Sequence, residues 1–393
     1  MKMTPISELY RGFCSFAVFR DLCRAPLFDA FLRFAASCRE EKKLDAYGEF
    51  VSEIYEAGGH LSRAVTELLY ADENVYVKTV AAGKTPSSSL EETAKRELSL
   101  LSRFASLTPA DFAAELEESE FLPLFENEPC DLAALYLERM KNIHQTGYGI
   151  YAQNAMFLVE EDGSLRPIAS ADRTAIDHFV GYEAERRRVM NNVEAFLDRR
   201  PAANTLLYGD AGTGKSSTVK AVVNHYFDRG LRLIEIRKNQ LLLLPKVMDE
   251  ISKNPLRFIL FIDDLSFNGS DDQFSMLKAT LEGSACARAD NAVIFATSNR
   301  RHIVRETFSD REGDEVHRND TLQENLSLSE RFGLTVLFAR PEKRLYLEIV
   351  RELAQRHGIQ MEDTVLATRA EEFALRRGHR SARAAEQFIE SLL

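Results

Sequence analysis

The chain has 393 residues, 45% of them hydrophobic, and is therefore long enough to bury cores in two or three domains. Its formal net charge is −11. Residues 1–165 carry all of it, with 16 Lys and Arg against 27 Asp and Glu, which leaves 34 residues of each sign in the remainder. An acidic first third argues against non-specific nucleic-acid binding by that part, because such binding needs basic side chains that neutralise phosphates.

No CxxC pair occurs among the five cysteines, which are Cys14, Cys23, Cys38, Cys130 and Cys286. Their odd number and spacing are typical of reduced thiols and argue against a disulfide framework or a zinc site. The apolar stretch at residues 13–34 contains five charged side chains, so it predicts a buried amphipathic helix and no membrane span. We see no signal peptide and expect a cytoplasmic protein.

Residues 1–145 are predicted to form a mainly helical domain. Apolar residues recur there at steps of three and four, as at residues 27–34. Helix starts are indicated at residues 108–109 and by a capping-box pattern at residues 88–92. We find no catalytic constellation in this part. We interpret its two isolated histidines as structural or surface residues, and the acidic run at residues 115–120 as a solvated helix face.

A hairpin is indicated where the hydrophobic period changes, near residue 148. Aromatic and apolar residues dominate residues 148–159, and a turn at residues 161–164 leads into a second short strand at residues 165–168. We therefore assign residues 146–182 to a hairpin and connecting segment.

Strands and helices alternate across residues 183–340, which predicts an α/β core, a parallel sheet with helices on both faces. The predicted strands are residues 205–208, 231–236, 258–262, 292–297 and 334–338. The third is apolar throughout, as expected for a central strand covered on both faces. Residues 341–393 return to a helical period and are predicted to form a small helical lid.

The first of these strands runs into a segment that we call the glycine loop: Gly209, Asp210, Ala211, Gly212, Thr213, Gly214, Lys215, Ser216 and Ser217. Its spacing is that of the phosphate-binding loop of P-loop nucleotidases. Glycines let several backbone N–H groups converge on a triphosphate, and the N-terminus of the following helix favours anions. Lys215 can reach the phosphates and Ser216 can ligate Mg²⁺. The alternative is an ordinary glycine-rich turn, and we favour nucleotide binding.

The strands downstream end in side chains that suit phosphate chemistry. Asp263 and Asp264 close the central strand, where one carboxylate can hold Mg²⁺ and the other can polarise an attacking water. Asn299, at the end of the next strand, can hydrogen-bond both a water and a phosphate. Arg331, before the last strand, can reach the nucleotide of a neighbouring subunit. The alternatives are a polar strand end, a turn residue and a surface salt bridge, respectively.

Together these segments resemble the AAA+ ATPase superfamily, and more narrowly an uncharacterised bacterial family of predicted AAA+ ATPases with a domain-of-unknown-function label. The resemblance rests on the glycine loop and on three strings, Ile262-Asp263-Asp264-Leu265-Ser266-Phe267, Ala296-Thr297-Ser298-Asn299-Arg300-Arg301-His302 and Leu328-Ser329-Glu330-Arg331-Phe332-Gly333-Leu334. It covers the chain from about residue 148 to the end.

The resemblance implies a role for each residue of the glycine loop and the strand ends. Lys215 and Ser216 match the Walker A pair, and Asp263 matches the residue that serves Mg²⁺. Asp264 stands where most members have a catalytic Glu, one methylene longer, which argues against fast hydrolysis. Asn299 matches sensor 1.

Further roles are implied outside that region. Arg331 matches the arginine finger, and Arg383 matches the sensor 2 arginine that contacts the γ-phosphate, with Arg380 as the alternative. Val180, Gly181 and Tyr182 match the segment that flanks adenine, with ordinary packing of a connecting loop as the alternative.

We therefore expect Mg²⁺-dependent ATP binding and hydrolysis, coupled to conformational remodelling of an unknown protein partner, with self-association as a further expectation. A second interpretation is an ATP-gated interaction module that hydrolyses little, which the shorter acid at Asp264 favours. A P-loop phosphotransferase is the third, although we see no second-substrate lid.

Overall fold

The structure is a computed structural model, and it describes residues 4–116, 121–168, 175–265, 272–282, 289–299 and 331–393. The chain divides into two compact units, Met1–Gln153 and Asn154–Leu393. Some of the sequence-based predictions lie outside the described residues, namely those on Cys286 and on residues 117–120, 266–267, 300–302 and 328–330.

The first unit is mainly helical, as predicted. Its α-helices are α1 (Pro5–Cys14), α2 (Pro26–Ala36), α3 (Glu40–Glu56), α4 (Leu61–Ala71), α5 (Val75–Ala81), α6 (Ser88–Phe104), α7 (Pro109–Ala113), α8 (Leu132–Lys141) and α9 (Ile143–Thr146), with 3-10 turns at Arg20–Arg24 and Gly149–Ala152. The predicted start of α7 is confirmed, because Pro109 opens it and the Asp111 carboxylate accepts from the Thr108 backbone N–H at 2.8 Å. The cap of α6 is Ser87, one residue before the predicted pattern.

A cluster of phenylalanine rings lies at the centre of this unit. The ring of Phe104 is 4.7, 4.9, 5.2 and 6.0 Å, centroid to centroid, from the rings of Phe31, Phe28, Phe13 and Phe50. All five side chains are buried. Edge-to-face and tilted packing of this kind adds to the stabilisation that burial of the rings provides.

The apolar stretch at residues 13–34 supplies part of that core, but it is not one continuous helix. Pro26 begins α2, and Ala25 before it is extended, with ψ 143°. A residue that precedes proline is displaced from the helical region by the proline ring, so the helix starts anew at this point. Among the described helices, none has the length and apolar character needed to cross a membrane.

Glu97 on α6 carries a carboxylate inside the first unit and is 4% exposed. Its two oxygens accept the backbone N–H groups of Ala17, Val18 and Phe19 at 2.7, 3.1 and 2.9 Å. These amides belong to the chain between α1 and the first 3-10 turn. One buried side chain therefore fastens that connection to α6.

Replacing Glu97 with Gln should destabilise the first unit by about 1–3 kcal/mol, because the amide NH₂ would face backbone donors and leave a buried N–H without an acceptor. In differential scanning calorimetry of the whole chain, the unfolding transition of the first unit should occur at a lower temperature in the variant than in the wild-type protein. The matched control is Glu91→Gln on the same helix, where Glu91 pairs with Lys95 at the surface. Equal transition temperatures for the two variants would contradict this account of Glu97.

The second unit contains a seven-stranded sheet with the strand order β2-β1-β4-β5-β6-β3-β7. The strands are β1 (Met156–Val159), β2 (Leu165–Pro167), β3 (Thr205–Gly209), β4 (Leu231–Glu235), β5 (Arg257–Ile262), β6 (Ala292–Ser298) and β7 (Leu334–Phe338). Every pairing is parallel except that of β1 with β2. The predicted parallel sheet is confirmed, and β5 lies inside it with five of its six residues buried.

The hairpin formed by β1 and β2 extends this sheet. β1 pairs in parallel with β4, with Met156 opposite Leu233. Gln240 adds a side-chain bond from its Nε2 to the backbone oxygen of Val159, at 2.8 Å. The sequence predicts the hairpin, but its attachment to β4 depends on a pairing between residues almost 80 positions apart, which local patterns do not encode.

Helices accompany the sheet and then form the lid. They are α10 (Glu183–Leu197), α11 (Lys215–His225), α12 (Leu244–Ser252), α13 (Asp272–Glu282) and the three lid helices α14 (Lys343–Arg356), α15 (Asp363–Arg376) and α16 (Ala382–Glu390), with 3-10 turns at Ile176–His178, Phe227–Arg229 and Lys238–Leu243. The lid has its own apolar core, in which the buried Tyr346 hydroxyl donates to the backbone oxygen of Ala370 at 3.0 Å. The carboxyl ends of β3, β5 and β6 lie at one edge of the sheet, where the glycine loop begins.

Candidate functional site

The glycine loop connects β3 to α11 and depends on glycine at specific points. Gly209 has φ +137°, and a Cβ there would lie 2.0 Å from the backbone oxygen of Phe338 at the end of β7. Gly212 has φ +75°, and a Cβ there would lie 3.2 Å from Ser381 and Arg383 of the lid. A residue with a side chain at position 209 would displace β7. The missing Cβ of Gly209 therefore allows both the turn of the loop and its contact with β7.

Lys215, the first residue of α11, turns its side chain back into the loop. Its Nζ donates to the backbone oxygens of Gly209 and Asp210 at 2.9 and 2.7 Å, and to Oδ1 of Asn299 at 3.1 Å. The side chain is buried, and burial lowers the pKa of Lys215, while nearby carboxylates, Asp210 first, act in the opposite direction. A desolvated ammonium inside a loop of inward-turned backbone is a strong attractor for an anion.

Ser216 and Asp263 lie together beside Lys215. The Ser216 hydroxyl donates to Oδ1 of Asp263 at 2.6 Å. The same carboxylate oxygen accepts from the Thr297 hydroxyl and, at 3.2 Å, from the backbone N–H of Asp264. Hydroxyl and carboxylate oxygens are hard ligands that suit Mg²⁺, which binds through one or two carboxylates and completes its shell with water and phosphate oxygens. Within the described part of the chain, no group of three or more His, Cys, Asp and Glu side chains converges as a metal site.

Asp264 and Asn299 form the next pair. Nδ2 of Asn299 donates to Oδ1 of Asp264 at 2.8 Å. Because Oδ1 of Asn299 accepts from Lys215, both ends of its amide are engaged and its orientation is defined. Asp264 has φ +50°, in the left-handed region, and its backbone N–H donates to the Thr297 hydroxyl at 2.9 Å. Thr297 therefore orients both acids, although the sequence alone gave it no role.

Two cavities adjoin the glycine loop, one that contains Lys215 and a second with an apolar wall. Its apolar wall is formed by Phe179, Val180, Tyr182, Ile349 and Leu353, and it shares Gly212, Thr213, Gly214, Ser217 and Arg383 with the cavity that contains Lys215. An apolar slot that adjoins an anion-binding loop suits a flat heterocycle attached to phosphate. The sequence pointed to Val180 and Tyr182, but not to Ile349 or Leu353, which belong to α14 and reach the slot only through tertiary packing.

Tyr182 and Gly181 fit closely between neighbouring elements. Burial, followed by the charges of Glu185 and Asp210, raises the pKa of Tyr182 to about 12, so its hydroxyl stays protonated and donates to the backbone oxygen of Ala339 at 2.6 Å. A Cβ on Gly181 would lie 2.5 Å from a methyl group of Leu345 on α14. Tyr182 lines the slot and packs against Phe338 of β7, whereas Gly181 packs against α14 of the lid.

The three candidate arginines occupy different places. Arg383 lines both cavities, and its backbone N–H donates to the oxygen of Gly212 at 3.2 Å. Arg380 forms a two-pronged ion pair with Glu371 at 2.9 and 2.7 Å. Arg331 is half-buried and is separated from the start of β7 by Phe332 and Gly333. Of the three candidate arginines, Arg383 is among the described residues that line the two cavities, whereas Arg380 and Arg331 are not.

Comparison with known proteins places the chain in a family. The family model described as "Protein of unknown function (DUF815)" matches residues 152–393, well over half of the chain. Two curated relatives are similar to half of this chain: Chaperone protein ClpB 2 of Parasynechococcus marenigrum (strain WH8102), 27% identical over 220 residues, and Chaperone protein ClpB of Dichelobacter nodosus, 29% identical over 225 residues. The matched regions cover 22% and 23% of those proteins, so this chain spans less than a quarter of the length of either.

Among solved structures, the chain is similar to the Thermotoga maritima RuvB Holliday junction branch migration motor. The identity is 14%, the TM-score is 0.35, and the match covers 56% of this chain and 72% of that one. We base no conclusion about function on a TM-score this low. The family match and the two chaperone relatives agree with the resemblance noted in the glycine loop and the strand ends, and the chain belongs to this uncharacterised family of AAA+ ATPases.

Proposed function

We propose that the protein binds ATP with Mg²⁺ at the glycine loop and hydrolyses it, and that hydrolysis drives conformational remodelling of a protein partner. The observation that carries this proposal is the convergence of three groups around the glycine loop: the buried ammonium of Lys215, the Ser216–Asp263 pair and the Asp264–Asn299 pair. Each group supplies a function that phosphoryl transfer to water needs.

The side chains around the glycine loop fit both ATP and Mg²⁺. Gly212 and Gly214 have positive φ, which lets the loop turn tightly, and the helix α11 presents its N-terminal N–H groups to the loop. We infer that Ser216 and Asp263 would hold Mg²⁺, which would neutralise part of the phosphate charge. The apolar slot beside Val180 and Tyr182 would hold the adenine ring.

The chain's own residues would then divide the work. Lys215 would release its bonds to the loop carbonyls and donate to phosphate oxygens. Asp264, held by Asn299, would orient a water and accept its proton, and Asn299 would keep that carboxylate in place. Arg383, beside Gly212, would stabilise the charge that spreads over the γ-phosphate.

The partner is inferred more indirectly. Two relatives are named as chaperones, which supports a protein as the remodelled partner. An ATP-gated interaction module with little hydrolysis is the second candidate, and the aspartate at position 264 favours it because its carboxylate reaches one methylene less far than glutamate. Product analysis separates the candidates: released phosphate indicates an ATPase, intact ATP a gated module, and phosphate on an acceptor a phosphotransferase.

Lys215→Ala should abolish ATP binding at micromolar nucleotide, because the loop would lose its cation while its backbone stays in place. Isothermal titration calorimetry measures this directly. The matched control is Lys220→Ala on the same helix, since Lys220 pairs with Glu235 at 3.3 Å and does not line either cavity. Unchanged affinity in the Lys215 variant would refute the assignment of the glycine loop.

Asp264→Asn should bind ATP and hydrolyse it at least about tenfold more slowly, the low end for loss of a general base. The substitution suits the site, because Asn accepts a left-handed backbone readily and keeps an oxygen for Asn299. Phosphate release at saturating ATP measures the effect. Asp264→Glu is the informative counterpart, since it restores the missing methylene. A wild-type rate in the Asn variant would reassign Asp264 to a structural role.

Arg331 should act on the nucleotide of a neighbouring subunit, so activity per molecule should rise with protein concentration. Such an arginine can accelerate hydrolysis roughly 10³–10⁵-fold in related systems. An Arg331→Ala subunit should lose activity and recover part of it when mixed with a Lys215→Ala subunit, which still carries Arg331. A monomer that hydrolyses ATP at the full rate would overturn this assignment.

A further inference from the structure

One peptide group between the sheet and the lid is held from both sides. β7 ends at Phe338 and α14 begins at Lys343, and the Ala339–Arg340 peptide lies between them. Its carbonyl oxygen accepts from the Tyr182 hydroxyl at 2.6 Å, and its N–H donates to Oδ2 of Asp210 at 3.1 Å. The oxygen and hydrogen of a trans peptide point in opposite directions, so two separate elements hold this one unit. We call Tyr182, Asp210 and this peptide the peptide clamp.

The two residues that hold the peptide belong to different segments of the candidate site. Asp210 belongs to the glycine loop, and Tyr182 lines the apolar slot. Their positions are closely packed: the Tyr182 ring lies 5.3 Å from that of Phe338, and Gly209 touches the backbone of Phe338 too closely for any side chain. Tyr182 therefore connects the clamp to the wall of the slot, and Asp210 connects it to the glycine loop.

The side chain of Arg340 carries the connection into the lid. Its Nη2 donates to the backbone oxygen of Gly378 at 3.1 Å, just beyond the end of α15. Five residues further on, Arg383 N–H donates to the oxygen of Gly212. These hydrogen bonds thus connect the glycine loop to the lid at two points, through Asp210 and through Gly212.

We propose that Asp210 and Tyr182 are positioning residues: by holding the Ala339–Arg340 peptide, they set how the lid leaves the sheet and thereby place Arg383 against the glycine loop. The contribution of Arg383 to hydrolysis rests on the proposed function. The clamp itself does not, because all of its contacts are made by the chain alone.

The first experiment tests the clamp without nucleotide. Hydrogen–deuterium exchange of the full chain, read by mass spectrometry at the Arg340 amide, should be at least about tenfold faster in Asp210→Ala than in wild type, since a charge-assisted bond is lost. Asp210→Asn removes the same charge and keeps an acceptor, so it should protect Arg340 far better than Asp210→Ala. Tyr182→Phe loosens the other side of the peptide and should also speed exchange. It keeps the test informative if Asp210→Ala does not fold.

The second experiment asks whether the clamp acts through Arg383. Asp210→Ala should lower kcat for ATP hydrolysis more than Asp210→Asn does. The double variant Asp210→Ala with Arg383→Ala should be no slower than Arg383→Ala alone, because the effects of two substitutions that act through one contact do not add. Tyr182→Phe should show the same pattern.

The outcomes separate this proposal from the proposed function. Arg340 exchange at the wild-type rate in both Asp210→Ala and Tyr182→Phe, or fully additive losses of kcat with Arg383→Ala, would overturn the clamp. If Asp210→Ala speeds Arg340 exchange but the wild-type protein neither binds nor hydrolyses ATP, the clamp is supported and the proposed function is refuted.

Discussion

The site depends on the burial of the Lys215 ammonium inside the glycine loop. Desolvation lowers its pKa, and the group is tolerated because two loop carbonyls and Asn299 accept its hydrogens while carboxylates lie nearby. The position of Asn299 follows from that contact, and the position of Asp264 follows from Asn299. The strand ends are thus organised around one cation, and changes at these residues should not have independent effects.

The backbone at Asp264 offers a physical reason for the shorter acid at that position. The residue has φ +50°, a conformation that Asp and Asn adopt more readily than other side-chain-bearing residues. Its N–H is engaged by Thr297, the same residue whose hydroxyl contacts Asp263. Conformation and hydrogen bonding at the end of β5 therefore favour aspartate at this position. The carboxylate of aspartate extends one methylene less far from the backbone than that of glutamate.

Close approach explains why the glycine loop and the lid form one system. Gly209 allows the end of β7 to touch the loop, Gly212 allows Ser381 and Arg383 to do so, and Gly181 allows Leu345 to pack beside the slot. Each contact is made to an element outside the loop. Gly209 therefore brings β7 into contact with the glycine loop, and Gly212 brings the lid into contact with it.

The sequence alone determined the local elements and the spacing of the glycine loop, because both depend on neighbouring residues. The predicted strands at residues 231–236, 292–297 and 334–338 agree with β4, β6 and β7 to within one residue, since apolar runs and helical periods are local signals. Only the tertiary structure decided which distant residues meet. Three features depend on contacts between residues that are not neighbours in the sequence. β1 pairs with β4, Ile349 lines the slot, and Arg380 forms an ion pair with Glu371 and lines neither cavity. Side-chain partners of that kind are chosen by packing and electrostatics in three dimensions, and no short pattern in the sequence records them.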